Sequence, residues 1–526
     1  MVASDAATVA ETTAGKIRGF RRNGIYTFKG VPYGAPTSGE RRFMAPAKAE
    51  PWSGIRNALQ YGRVCPTHDS VHANTDGHNL ANSDEDQFVL HRGVAGADPG
   101  EDCLRLNLWT PEINRSRGRP VMVFMHGGGF SAGNGHELLS YNGENLARNH
   151  DLVVVTHNHR LNAFGYLNLA ALGGEDFADS ANAGLLDLVA VLEWVRDNIA
   201  NFGGDPRSVT IFGQSGGGGK VAALMAMPSA AGLFHRAIIQ SGPYLKFLSA
   251  DYSTQLAELT MRQLGLQRSQ VRDLQRVPVD RISWAAAEAV TKMPAPTVSP
   301  LRRVFGETGW APTVDGRILP HPPFDPTAPA ISANVPLLTG TNLNEFVNGL
   351  DHPEANAMPA EELNRLVQEG FGSRAPAILD AYRRAYPQAS PFALYAAIAA
   401  APVRRAAIEQ ASRKAALQAA PAYSYLYSWR TPVLDGRPGP FHGAELAFVF
   451  DNADICDHLS GGTPEGFALS RQMSRAWASF ARTGNPNHGG LPQWPAYTPQ
   501  ERATMDFNTV CEIRNDPEGE GLRLMS

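Results

Sequence analysis

The stretch Ser208-Val-Thr-Ile-Phe212-Gly213-Gln214-Ser215-Gly216-Gly217-Gly218-Gly219-Lys220 decides how the rest of this 526-residue chain is read. A short apolar, β-branched run breaks into a Gly-x-Ser-x-Gly motif, and helix-compatible text follows from Lys220 to Met227. Glycines on both sides of the serine permit a sharp strand-to-helix turn that exposes its hydroxyl. The helix N-terminus behind it favours developing negative charge. In a chain with 51 glycines the motif alone is weak, and the strand before it and the helix after it supply its meaning. A phosphate-binding loop would need Gly at 214 and Ser or Thr at 221, and Gln214 and Val221 exclude it.

Outward from this motif the chain repeats one pattern. Val121–Met125, Leu152–Thr156, Ala237–Gln240, Val335–Thr339 and Tyr423–Tyr427 are short apolar runs without polar alternation. Such runs suit strands buried on both faces, as in a parallel sheet. Between them, Leu185, Leu188, Val191, Leu192, Val195 and Ile199 form one apolar stripe of a helix over 185–200, stopped at Gly203-Gly-Asp-Pro206. Strand, helix and strand in succession predict an open, mostly parallel α/β sheet with right-handed crossovers. From 249 to 303 and from 359 to 420 the strand signals vanish and helical spacing takes over, so these segments are predicted as helical insertions within a single domain over 1–526. The apolar run Phe392–Val403 reads as a core helix despite Pro402.

Composition narrows the function classes. With 43% hydrophobic and 19% charged residues, the chain is globular rather than disordered. A net charge of −4 gives no electrostatic reason to expect nucleic acid or an anionic membrane as partner. No stretch approaches the ~18 apolar residues that span a bilayer. The opening Met-Val-Ala-Ser-Asp-Ala-Ala has neither the basic nor the apolar region of a signal peptide. The four cysteines, Cys65, Cys103, Cys456 and Cys511, form no Cys-x-x-Cys pair, which excludes a zinc ribbon or thioredoxin motif and leaves both disulfides and buried thiols open. The long segment 66–102 is rich in His, Asp and Asn and poor in strand signals, and loops of that kind are functional or pinned.

A serine hydroxyl needs a base, and the base needs a carboxylate to orient it. In sheets of this kind the acid follows the serine and the histidine comes last. Glu345 lies just past the run Val335–Thr339, where loops meet the carboxyl edge of the sheet. Of the later histidines His352, His442, His458 and His488, only His442 stands in a loop beyond a strand, the one after Tyr423–Tyr427. Position favours His442 without excluding the others. His126-Gly127-Gly128-Gly129-Phe130, directly after Val121–Met125, can present backbone N–H groups to a substrate oxyanion. His157-Asn158-His159 has the spacing of a zinc pair but no convincing third ligand. The acidic text from Asp84 to Asp86 reads as a solvated face, and Asn114-Arg-Ser116 is a glycosylation sequon of the kind chance produces.

Over nearly its whole length the chain resembles the type-B carboxylesterases, the family of para-nitrobenzyl esterases and cholinesterases. The resemblance rests on Phe28-Lys-Gly30-Val-Pro-Tyr33, Arg42-Phe43-x-x-Pro46, Glu101-Asp-Cys-Leu-Arg-Leu-Asn107-Leu-Trp109-Thr-Pro111, His126–Phe130, Asn158–Gly165 and Gly203–Gly217. It implies an α/β-hydrolase fold with helical insertions around an active-site gorge. It implies ester hydrolysis through an acyl-enzyme, with a small-molecule ester as partner and no metal or organic cofactor. By resemblance Ser215 is the nucleophile, Glu345 the acid and His442 the base, and Gly128, Gly129 and Gly216 line the oxyanion hole. The resemblance also implies a Cys65–Cys103 disulfide closing the long loop, which would favour a secreted or periplasmic protein whose leader is not in this sequence. Cys456 and Cys511 match no family role. Gln214 and Gly216 stand where the family usually has Glu and Ala, and His159 and Asn162 where it has Tyr and Gly. Gln214 removes a negative charge beside the serine, which disfavours a specialist for cationic esters. A carbamate or aryl-amide hydrolase using the same residues, and a non-catalytic scaffold of the same fold, are the alternative readings.

Overall fold

An eleven-stranded mixed sheet positions everything that follows. The computed structural model describes residues 1–67, 84–90, 98–115, 117–294, 307–350 and 353–525. In chain order the strands are β1 (Phe20–Arg22), β2 (Ile25–Pro32), β3 (Arg105–Thr110), β4 (Arg119–Met125), β5 (Val153–His157), β6 (Gly204–Gln214), β7 (Arg236–Gln240), β8 (Leu337–Asn342), β9 (Ala422–Tyr427), β10 (Ala503–Phe507) and β11 (Glu512–Asn515). Across the sheet they run β11-β10-β9-β8-β7-β6-β4-β5-β3-β2-β1. From β10 to β5 every pairing is parallel, and β1, β2, β3 and β11 attach antiparallel at the two edges. A separate small sheet joins Val9–Thr12, Gly15–Arg18 and Ile55–Asn57.

The predicted apolar runs fall in the middle of the sheet because helices cover both of its faces. The side chains of Val121, Val123, Val153, Val155, Ile211 and Ile239 are completely buried in one cluster, and those of Met122, Phe124, Val154, Phe212 and Ile238 in the other. Helix α1 (Ala183–Asn198) presents the predicted stripe to the first cluster, with Leu185, Leu188, Val191, Leu192 and Val195 fully buried. The chain passes from β4 to β5 on one side and returns to β6 on the other, so the strand order reverses around β4. Open α/β sheets bind their ligands outside the carboxyl ends of the strands at such a point.

Helix α2 (Gly216–Ala226) starts at Gly216, four residues before the segment expected from composition. Glycine is a poor helix former, and this helix is held by packing instead: all of its residues are buried. Helices α3 (Ala250–Gln263) and α4 (Val279–Thr291) lie between β7 and β8, and α5 (Ala360–Phe371), α6 (Ala375–Ala385) and α7 (Pro391–Ala416) lie between β8 and β9. The predicted insertions are helical in these parts, while 295–306 lies outside the described residues. So do His352, Ser116 of the sequon and most of 66–102. Within that loop Asp84–Leu90 is a short helix, and Glu85 is not simply solvated, since its Oε1 accepts from Arg437 Nη2 at 2.6 Å. The side chains of Asp84 and Asp86 are outside the described residues.

The expected Cys65–Cys103 disulfide is absent: both side chains are buried free thiols, as are those of Cys456 and Cys511. Cys65 Sγ accepts the Leu161 N–H at 3.2 Å. A side-chain hydrogen bond with Cys65, together with burial, pushes the Cys103 thiol well above its ordinary pKa. Little thiolate then forms, and thiolate is the species that oxidises.

One buried ion pair ties the carboxyl end of β5 to α1. Arg160 Nη2 and Nε donate to the two Asp187 carboxylate oxygens at 2.6 and 2.8 Å, and both side chains are buried. Arg160 Nη1 also donates to Met44 O at 2.6 Å. Replacing Asp187 with Ala leaves a buried guanidinium unpaired and should cost about 3–5 kcal/mol, read as a lowered denaturant midpoint. Thiol titration of the unfolded, unreduced protein should count four thiols, against two if one bridge were present.

Candidate active site

Strand β6 ends at Gln214, and Ser215 turns the chain directly into α2. Ser215 has φ 59° and ψ −125°, a conformation that L-residues rarely adopt. Backbone strain of this kind persists only where the surroundings enforce it. Here the Ser215 N–H donates to Gln240 O at 2.8 Å, and the Ser215 carbonyl accepts from the Gly219 N–H at 3.2 Å. The glycines after it are required by close approach. A methyl group at 217 would lie 1.9 Å from the Met125 carbonyl oxygen, and one at 216 would lie 2.2 Å from the Gly129 oxygen. The start of α2 therefore lies backbone to backbone on the segment leaving β4. This is the physical reason for glycine, rather than alanine, at 216.

That segment, His126 to Gly129, runs past the serine: a methyl at Gly127 would stand 3.5 Å from Ser215 Cβ. Gly128 and Gly129 both have positive φ, 79° and 60°. Among the described residues the N–H groups of Gly128 and Gly129 have no acceptor, while the Gly128 carbonyl accepts from Ala132 N–H at 3.0 Å. The first N–H groups of a helix also lack intrahelical partners, which adds Gly216 as a third available donor.

Glu345 and His442 meet beyond β8 and β9. His442 Nδ1 lies 2.5 Å from Glu345 Oε2, and the His442 N–H donates to the Glu345 carbonyl at 2.8 Å. Glu345 is completely buried, and its other oxygen accepts the Asn342 N–H at 2.9 Å. The Phe346 ring stacks on the imidazole with centroids 4.0 Å apart. His442 Nε2 is buried without a hydrogen-bond partner. Ser215 Oγ makes no hydrogen bond to it in this structure. The two loops are nevertheless adjacent, since the next residue, Gly443, has room for a methyl only 3.6 Å from Gln214 Nε2. In unliganded sites hydrogen bonds between a nucleophile and its base are often long or poorly aligned.

The other candidate histidines are elsewhere. His488 Nε2 is 3.0 Å from Gln472 O, and His458 Nδ1 lies 3.8 Å from Asp457 in a short helix. His157 and His159 are buried against each other and against His126, with ring centroids 5.4 and 4.7 Å from His159, and burial lowers the pKa of all three. Among the described residues no three His, Cys, Asp or Glu side chains are arranged to hold a metal.

Two residues beneath the pair were missed by sequence reasoning. Buried Glu445 accepts Asn342 Nδ2 at 2.6 Å and Gln240 Nε2 at 3.1 Å. Asn342 Nδ2 also donates to Phe441 O at 2.6 Å. Burial is the largest influence pushing the Glu445 carboxyl upward, and neighbouring Glu345 adds to it. The one available signal was the proximity of Glu445 to His442 in Phe441-His-Gly-Ala-Glu445.

This geometry has counterparts. Residues 6–524 match the profile of the carboxylesterase family. Among curated proteins the chain is 33% identical over 515 residues to the para-nitrobenzyl esterase of Bacillus subtilis (strain 168), covering 97% of each chain. Among solved structures it superposes with a TM-score of 0.83 on an esterase from anaerobic Clostridium hathewayi, 34% identical, covering 100% of this chain and 99% of that one. A Geobacillus stearothermophilus carboxylesterase gives a TM-score of 0.79 at 32% identity, covering 99% and 100%. The elbow, the glycine-rich segment beside it and the mostly parallel sheet that presents them are thus those of a known lineage: this chain belongs to the carboxylesterase family, with its α/β-hydrolase fold, and is a serine hydrolase of carboxylic esters.

Proposed function

We propose that Ser215, His442 and Glu345 hydrolyse uncharged short-to-medium acyl or aryl esters through an acyl-enzyme. The observation that carries this reading is the His442–Glu345 contact at 2.5 Å, with the far imidazole nitrogen buried and unpaired in a loop against the serine elbow. Nε2 takes the Ser215 proton as Oγ bonds to the ester carbonyl carbon. Glu345 fixes the tautomer and stabilises the imidazolium that forms. The carbonyl π electrons move to the oxygen, which is received by the N–H groups of Gly128, Gly129 and Gly216. Collapse of the tetrahedral intermediate breaks the ester C–O bond, and the imidazolium protonates the departing alcohol. Water then attacks the acyl-serine, giving its proton to His442, and the acid product leaves with Ser215 reprotonated.

Neutral substrates fit the charge of the site. Gln214 supplies no carboxylate, and Glu345 is engaged with His442 and the Asn342 N–H. The relatives support the class: one is named a para-nitrobenzyl esterase, and another is described as hydrolysing aliphatic aromatic polyesters.

A fluorophosphonate should label Ser215 alone, and Ser215→Ala or His442→Ala should lower kcat on a para-nitrophenyl ester by about a thousandfold or more. Glu345→Gln should cost about 10²–10⁴ in kcat. His458→Gln and His488→Gln should stay near wild type, and wild-type turnover by Ser215→Ala would refute the assignment. Gly217→Ala, whose methyl would meet fixed backbone, should yield no titratable active site, whereas Gly489→Ala, whose methyl would meet open space, should remain labelled.

A further inference from the structure

Five residues after Ser215, α2 buries a lysine. Lys220 is fully buried, and no carboxylate pairs with it among the described residues. Its Nζ donates to two backbone carbonyls, His126 O at 2.9 Å and Gly129 O at 3.0 Å, and stands 5.4 Å from the centroid of the Phe130 ring. Burial pushes the ammonium down to about 7, with Glu137 acting in the opposite direction. The neighbouring rings of His126, His157 and His159 are themselves held neutral by burial, with Lys220 adding to the effect. A lone buried ammonium is costly to a fold, and packing alone would be served as well by methionine or leucine. The acceptors it has found bracket one short segment.

All four carbonyls of that segment are engaged. Lys220 holds those of His126 and Gly129, His126 Nδ1 lies 2.9 Å from Gly127 O, and the N–H groups of Ser131 and Ala132 reach Gly128 O at 3.3 and 3.0 Å. A planar peptide places each carbonyl opposite the next residue's N–H. The amide hydrogens of Gly128 and Gly129, which have no acceptor of their own, share their planes with the Gly127 and Gly128 carbonyls held by His126 and by the Ser131 and Ala132 N–H groups, and Lys220 secures the peptide on either side of that pair. Gly216 allows the segment to lie against α2, and Lys220 fastens it there.

We propose that Lys220 is a positioning residue for the oxyanion segment, clamping the His126 and Gly129 carbonyls so that the N–H groups of Gly128 and Gly129 stay available beside Ser215. This rests on the reading of Ser215 as nucleophile. Its effect is exerted through the backbone and belongs to the transition state, in which the carbonyl oxygen carries charge.

The test compares Lys220→Met, which keeps the length and apolar stem, with Lys220→Gln, which keeps an N–H donor. Active sites are counted with a fluorophosphonate, and kcat and KM on para-nitrophenyl acetate are expressed per labelled site. Affinity is measured for a trifluoromethyl ketone, which forms a tetrahedral adduct with a serine. Lys220→Met should lose about 10²–10³ in kcat, the loss typical of a missing oxyanion donor, with KM within about threefold. Its ketone affinity should fall by a comparable factor, and Lys220→Gln should recover part of both. A Met variant within about threefold of wild type per site, or one that loses kcat while binding the ketone as wild type does, overturns the proposal. So does failure of both variants to fold, which assigns the lysine to the fold at large. Ser215→Ala run in parallel separates the two ideas: if it turns over ester, the nucleophile reading has failed, and if it is inactive while Lys220→Met is normal, only the clamp has failed.

Discussion

The contact on which the site depends is backbone against backbone: the first turn of α2 lying directly on the chain that leaves β4. Side chains cannot be inserted there, because a methyl at 217 would meet the Met125 carbonyl oxygen at 1.9 Å and one at 216 would meet the Gly129 carbonyl oxygen at 2.2 Å. Protein interiors relax only partially around such overlaps. The glycines are therefore present for thickness as much as for flexibility. The close approach also sets the Ser215 backbone, because β6 and α2 are each held by their own packing and the single residue between them must absorb the turn at φ 59°. Strain at the serine is the local cost of a tight sheet-to-helix junction, and the two elements on either side sustain it.

Electrostatics at the site follow one rule, that each buried ionisable group is matched by directional hydrogen bonds. Glu345 receives a backbone N–H and the His442 imidazole, Glu445 receives two side-chain amides, and Lys220 donates to two carbonyls. These groups reach one another through shared backbone. Asn342 is the junction: its N–H serves Glu345, and its side chain serves Glu445 and the Phe441 carbonyl next to His442. A displacement of either carboxylate is thus transmitted to the histidine loop.

The centre of the sheet was legible in the sequence because parallel strands covered on both faces must be apolar without interruption, and Val153-Val-Val-Thr-His157 fits nothing else so well. The edges were not. Phe20-Arg-Arg22 and Glu512-Ile-Arg-Asn515 carry the charges that guard edge strands, and those charges erase the strand signal. The start of α2 was hidden because tertiary packing overrode the low helix propensity of four glycines. Position favours His442 among the later histidines without excluding the others, and the structure sets its imidazole against the buried Glu345 carboxylate. Asn342, Glu445 and Lys220 had no comparable signal, since each takes its meaning from partners distant in the chain. In the sequence Lys220 reads only as the start of helix-compatible text and as part of a failed phosphate loop.

Gln214 ties these observations together. Its side chain lies between the two loops that flank the serine: a methyl at Gly127 would be 3.2 Å from its Oε1, and one at Gly443 would be 3.6 Å from its Nε2. The residue is buried, and Glu345 already helps push the Glu445 carboxyl upward. A glutamate at 214 would add a third buried carboxylate to this region, and like charges in one low-dielectric site oppose one another's ionisation. The amide fills the same shape without that charge. The carboxylate facing His442 is then that of Glu345, where the proposed mechanism uses it to favour the imidazolium. Lys220, from α2, donates to the His126 and Gly129 carbonyls of the segment proposed to receive the oxyanion. In the proposed mechanism, backbone donors at the oxyanion and a carboxylate behind the imidazole supply the polarity that proton transfer away from Ser215 requires.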